Sequence, residues 1–380
     1  MVLNARMLTL LVLCGAWRSG AQPVIADQGV TNAASYSILQ ASGGGIAPGS
    51  IVVIFGTGLG PDSLQAANGY PLRTELAGTS VRLGGSSAYM LYTSAVQVAA
   101  IAPSTLQPGM HQLTVAFGNR TSQPVTVPVI QTDFGIFTRN SAGYGQAAAQ
   151  TVLPDGAVQT LGLASSVRPG EPIVLYGTGL GGIAGAPDDQ PPGVRPTTTA
   201  VEVIIGGKVV TPQYAGRSPN FAGLDQVNFT APADLGPDCY VSLGVRANGR
   251  LSNVVSVPVT QTGRSCAHPF QLSETAMQRI DSGQAIVIVQ ALMERRSSES
   301  GSAGEGAGIG FAEVDANALE ITAAPTADPY ETTSAGTCAV LVNDSTTTVI
   351  SRPSVRGPRF LDAGASVRLE GPSHSTDLLR

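Results

Sequence analysis

Two short apolar runs, Ile51 to Phe55 and Ile173 to Tyr176, stand out in a chain whose apolar stretches are otherwise brief and broken by polar residues. A run that is apolar at nearly every position, bounded by turn residues and too short for a helix, predicts a strand buried between two sheets. Thr114 to Phe117 and Thr126 to Val129 alternate more, as strands with one wet face do. Pro-Gly, Gly-Gly and Asn-Gly pairs punctuate these segments at spacings of about ten residues, which predicts short strands joined by tight turns in a sandwich. Helical segments of the length a βαβ fold needs are not visible before residue 270.

The strand recipe is written twice. Ala47 to Gly60, a Pro-Gly turn leading into an apolar run and a Gly-Thr-Gly-Leu-Gly exit, recurs as Val167 to Gly181. Val81 to Gly85 then matches Val203 to Gly207, and Gln97 to Pro103 matches Gln226 to Pro232. Leu113 to Val115 and Pro124 to Val129 correspond to Val241 to Leu243 and Val254 to Val259, with turns at Asn119 and at Asn248-Gly249. The order of elements is preserved while the offset grows, so insertions fall between strands. These repeats resemble the IPT/TIG group of immunoglobulin-like domains. Gly29 to Ser35, Gly135 to Phe137 and Tyr144 to Ala147 look more narrowly like paired repeats at the ends of bacterial secreted proteins. The resemblance covers about residues 27 to 262; it implies fold and export, and supplies no catalytic residue.

The expected class is therefore all-β: tandem immunoglobulin-like β-sandwiches at 27–132 and 133–262, then a third, mostly β C-terminal module at 263–380, with a truncated end left open. In that last part Leu272 to Ile280 predicts a short helix, Ala285 to Met293 an apolar run, and Ser297 to Gly310 a flexible Ser/Gly/Glu-rich loop. Ala339 to Val342, Thr347 to Ile350 and Ser366 to Leu369 read as strands.

Composition narrows the function. Charged residues are only 12% of 380, the net charge is -5, and Gly (46) and Pro (26) are abundant. That balance suits strands and turns, and with no basic run longer than Arg295-Arg296, which follows Glu294, it leaves no footprint for nucleic acid. Arg6, the apolar Leu8 to Cys14 and the small residues Ser19, Gly20 and Ala21 predict an export signal at 1–21, too short to span a bilayer; Cys14 keeps a lipoprotein alternative open. No transmembrane span is expected once the signal is removed. Export permits a disulfide among Cys239, Cys266 and Cys338; the expected pair is Cys266 with Cys338, with three free thiols as the alternative.

Signals for chemistry are weak. Gly177 to Gly182 satisfies the dinucleotide-binding glycine spacing, but that chemistry needs a following helix N-terminus, and Ala184 to Pro192 contains three prolines. His111, His268 and His374 lack a nucleophile motif, no metal-ligand spacing is present, and Asp188 and Asp189 are the weak candidates for calcium. No cofactor and no catalytic residue is expected. Tyr70, Tyr89, Tyr92, Tyr214 and Phe221, in or beside loops, are candidate ligand-contact aromatics, with packing into the core or an interface as the alternative. The expectation is a non-enzymatic exported structural or adhesive protein whose partner is a protein or polysaccharide at the cell surface. Alternatives are a carbohydrate-binding accessory module, and an enzymatic or maturation domain in the last third, for which a reactive Cys239 would be the nucleophile.

Overall fold

The computed structural model describes residues 22–37, 39, 43–268, 271–297, 303–314, 359–360, 366–370 and 375–379. The first repeat supplies β1 (Val24–Asn32), β2 (Ile51–Thr57), β3 (Thr79–Leu83), β4 (Tyr89–Thr93), β5 (Gln97–Ile101), β6 (Gly109–Phe117) and β7 (Val125–Val129), with two-residue pairings between them. One antiparallel sheet runs β1-β2-β5-β4; in the other, β6 lies between β3 and β7. Between the sheets Val52, Ile54, Val98 and Ala100 meet Val81, Leu83, Leu113, Val115 and Val127. Period-two alternation selects these residues, and burial of their apolar surface holds the sheets together.

The second repeat gives β8 (Ala149–Val152), β9 (Val158–Thr160), β10 (Pro172–Thr178), β11 (Val201–Ile205), β12 (Lys208–Val210), β13 (Tyr214–Arg217), β14 (Asp225–Thr230), β15 (Asp238–Ala247) and β16 (Val255–Val259). Its sheets run β9-β8-β10-β14-β13 and β12-β11-β15-β16. Ile173, Leu175, Val227 and Phe229 pack against Val203, Ile205, Leu243, Val245 and Val257. The chain is thus all-β, two tandem sandwiches followed by further strands.

Helix α1 (Glu274–Asp281) starts where the Ser273 side chain accepts from the Ala276 N–H and Glu274 lies in the first turn. Its buried residues Met277 and Ile280 pack with Leu163, Cys239 and Cys266 against the end of the second sandwich. The Asp281 carboxylate accepts from the N–H groups of Leu163 and Ala164 at 2.9 and 2.8 Å. Beyond it, β17 (Ile286–Ser297) and β18 (Ala303–Val314) pair antiparallel along their whole length, and Ser366–Glu370 pairs with Ser375–Leu379.

Two expectations are corrected here. Cys266 is bonded to Cys239, not Cys338: the chain leaving β16 turns back across the end of the sandwich and brings Cys266 to a Cα separation of 5.3 Å from Cys239, while the Cys266 N–H donates to Leu163 O. The bond removes Cys239 as a free thiol. The segment read as flexible after Ser297 contains β18, because Gly304, Gly306, Gly308 and Gly310 alternate with larger residues, a strand period that its composition conceals. Cys338, His374, residues 1–21 and the strands expected at 339–342 and 347–350 lie outside the described residues. Among the described residues no helix is long and apolar enough to cross a membrane.

Candidate functional site

The Gly-Thr-Gly-Leu-Gly exit of β10 is a buried structural turn. Gly179 has φ +113°, and a Cβ there would come within 2.2 Å of the Asp133 carbonyl oxygen, so only glycine fits. The Gly179 and Leu180 N–H groups, which a phosphate would need, donate to the Asp225 carboxylate at 2.7 and 2.8 Å. The other Asp225 oxygen accepts from Arg217, whose guanidinium also donates to Gly181 O at 2.9 Å. Burial pushes the Asp225 carboxyl up, while Arg217 and the two amides pull it back.

That turn also joins the two sandwiches. Ile51 N–H donates to Thr178 Oγ1 at 2.9 Å, and Asn32 Nδ2 donates to the carbonyls of Asp133 and Thr178 at 2.9 and 3.2 Å. The Asp133 carboxylate accepts from Gly45 N–H and from Arg250. Asp188 caps the Ser104 N–H at 2.8 Å and the Asp189 carbonyl accepts from Leu72 N–H at 2.6 Å, so this pair clasps the first sandwich. Among the described residues no group of three or more His, Cys, Asp or Glu is placed to hold a metal ion.

Apolar contact reinforces the clasp. Phe137 packs with Ala33, Val53 and Ala99 of the first sandwich, and Ala222 packs with Leu72 and Ile101. The covered surface is the outer face of the β1-β2-β5-β4 sheet, where register aligns Ile51, Ile101 and Tyr89 in one row and Val53, Ala99 and Tyr92 in the next. The run Ile51 to Phe55 is continuously apolar because one side lines the core and the other lies under the second sandwich.

Four of the five candidate aromatics surround this junction. Tyr89 is half-buried beside Ala222, and Tyr92 beside Phe137. Tyr92 accepts from Gln97 Nε2 at 2.7 Å, and its hydroxyl is pushed up to about 12 by burial, with Tyr36 adding to it. Tyr70 is 42% exposed and Phe221 56%, on loops that meet where Ala222 N–H donates to Tyr70 OH at 3.3 Å. Tyr214 lies on the outer face of the second sandwich.

That outer face has a different chemistry. Register places Gln150, Val174, Asn228 and Tyr214 in one row across β8, β10, β14 and β13, and Tyr176, Gln226 and Gly216 in the next. Tyr176 donates to Gln150 Oε1, and Gln226 Nε2 donates to Asn228 Oδ1, both at 2.9 Å. Tyr214 donates to Arg217 O at 2.5 Å, which lays the ring along Gly216; a Cβ there would come within 2.9 Å of the Tyr214 hydroxyl. Sequence reasoning missed Tyr176 and its amide neighbours. The signal was present: Tyr176 corresponds to Phe55, and Asn228 to Ala99, in the repeat.

Of the histidines, His111 meets Gln107 O at 2.8 Å, and the buried His268 meets the Tyr240 hydroxyl at 2.7 Å, with burial holding its pKa down at about 4. A cavity of about 270 Å³ opens beside Val125 and Val127 of β7, where β1 bulges out of register with β2, and Asp27 is the charged residue in its lining.

No family model matches the chain, and no curated protein matches it. Among solved structures it is similar to SGBP-B of the Bacteroides ovatus mixed-linkage glucan utilization locus in complex with a mixed-linkage heptasaccharide, at 12% identity and a TM-score of 0.25 over 66% of this chain and 45% of that one. It is similar also to SGBP-B from a complex xyloglucan utilization locus in Bacteroides uniformis, at 13% identity and a TM-score of 0.20 over 77% and 61% of the two chains. Domains 5–6 of the S-layer protein SbsC match at 12% identity and a TM-score of 0.22 over 63% and 99%. The chain spans less than half the length of the first of these, and overlaps this slight carry nothing about ligand or activity.

Proposed function

We propose that this chain is a non-catalytic, exported structural or adhesive protein in which two immunoglobulin-like modules of IPT/TIG type, at 27–132 and 133–262, act together as a stiff spacer and binding surface outside the cell. The observation that carries the reading is the junction. A spacer transmits position only if its modules do not swivel, and here Asn32, Ile51 and Ser104 of one sandwich bond Asp133, Thr178 and Asp188 at the other while Phe137 and Ala222 seal the contact. Paired polar groups inside an apolar rim fix a relative orientation, which loose linkers do not. The disulfide Cys239–Cys266 fits an oxidising compartment, and the apolar Leu8 to Cys14 segment fits an export signal.

The test is location and processing. A chain beginning near Gln22, recovered from the culture medium or cleaved on intact cells by added protease, is expected. A full-length chain retaining Met1 in the cytosol, with Cys239 and Cys266 reduced, would overturn the reading. A carbohydrate-binding accessory role is the second reading, favoured by the tyrosine-and-amide face of the second sandwich.

A further inference from the structure

The two copies of one fold offer an internal comparison. In the first sandwich the outer face of the β2-β5-β4 region carries Ile51, Val53, Ala99 and Ile101, and the second sandwich lies against it. In the second sandwich the matching strands carry Pro172, Val174, Asn228 and Thr230, with Tyr214 in the row position of Tyr92. Where the face is covered by protein it is apolar. In the second sandwich Pro172 and Val174 share the face with uncharged amides, hydroxyls and tyrosines, and Tyr176, Tyr214, Gln226 and Asn228 are half-buried.

We propose that this open face, centred on Tyr176, Gln226, Asn228 and Tyr214, binds a neutral polysaccharide. The inference rests on the reading of the chain as a binding spacer and names where and what it binds. Three features point to that class. First, none of the outward positions on β8, β10, β14 and β13 is Asp, Glu, Lys or Arg, so an anionic polymer or a charged peptide finds no complement there, whereas a sugar's hydroxyls do. Second, Tyr176 and Tyr214 stand two strands apart, about 10 Å across the sheet. Bonding of Tyr176 to Gln150 and of Tyr214 to Arg217 O orders both rings before any ligand arrives. Third, the amides of Gln226 and Asn228 lie between those rings, already bonded to each other at 2.9 Å with further donor and acceptor capacity on each. Tyrosine presents an apolar ring to the C–H face of a sugar and keeps a polar handle for its hydroxyls. An open sheet face suits a chain lying along it better than a small molecule, which is ordinarily enclosed.

The experiment is native electrophoresis of the mature chain through gels cast with a neutral β-glucan, a galactomannan or an arabinoxylan, with dextran sulfate as the charged arm. Retardation in at least one neutral gel is expected, with affinity falling about tenfold or more in Tyr176→Ala/Tyr214→Ala, as when an aromatic anchor of a binding surface is truncated. Tyr176→Phe, which keeps the ring, is expected to retain binding. Should the double variant fail to fold by circular dichroism, Asn228→Lys, a surface change that sets a charge in the middle of the face, is expected to abolish retardation. Retardation in dextran sulfate alone would overturn the proposal. So would retardation abolished in Phe221→Ala but kept in the tyrosine pair, which moves binding to the junction rim. A wild-type chain that runs freely in every neutral gel would also overturn it, while the spacer reading stands on its separate location test.

Discussion

Asp225 shows how one side chain decides the meaning of a motif. The glycines before it have the spacing of a phosphate loop, yet its carboxylate occupies the amides that a phosphate would use and draws Arg217 into the same buried turn. Removing one partner of a buried pair leaves the other uncompensated, so Asp225→Ala is expected to cost about 3–5 kcal/mol in urea unfolding followed by tyrosine fluorescence. A loss below about 1 kcal/mol would mean the turn is held by other means. His268 makes a second, pH-dependent contribution. Its folded pKa of about 4 lies below the ordinary value of about 6.5, so the unfolded chain binds the extra proton first. Stability is expected to be complete above about pH 6.5 and to decline as pH falls toward 4, and His268→Gln is expected to flatten that part of the thermal-melt profile. Glu171 acts in the same direction lower down: burial raises its carboxyl, but hydrogen bonds from Arg264 and the Arg168 amide outweigh this and hold it below its usual value. Its contribution is present above the ordinary glutamate pKa and lost as pH falls through the folded one.

Strands were the legible elements. Ile51 to Phe55 and Ile173 to Tyr176 announced buried strands because period and turn chemistry act locally, and the repeat made each copy a check on the other. What stayed hidden depended on neighbours distant in sequence. The Gly304 to Gly310 strand is hidden by composition, since its partner Gln290 to Arg296 supplies the pairing. The cysteine pairing depended on how the chain returns past β16, which spacing alone does not encode. Cys239–Cys266 closes a sequence separation of 27, worth about 3.5 kcal/mol in the loop-entropy treatment. Non-reducing peptide mapping is expected to recover the Cys239 and Cys266 peptides joined; a Cys266–Cys338 peptide would contradict the structure. Reduction is expected to lower the melting temperature of the second sandwich and to release α1 before the β-sheets, seen as faster amide exchange at Met277 and Ile280.

Taken together, the two sandwiches use one recipe for two purposes: one turns an apolar sheet face toward its neighbour, and the other leaves a tyrosine-and-amide face open. The aromatics singled out by sequence divide accordingly. Tyr70, Tyr89, Tyr92 and Phe221 gather at the junction, and Tyr214 joins Tyr176 on the open face. Loop position alone could not separate these groups, because which face is covered depends on docking of whole modules. Phe137→Ala is expected to cost about 2–3 kcal/mol, less than the ~3–5 kcal/mol of a fully buried Phe because the ring is half-buried, and to loosen the junction while each sandwich keeps its core. The stiffness of that junction is tested most directly by residual dipolar couplings of backbone amides in both sandwiches of the wild-type chain. A single alignment tensor fitting both sets is expected; two tensors of clearly different magnitude would show modules that swivel and would contradict the interlocked arrangement.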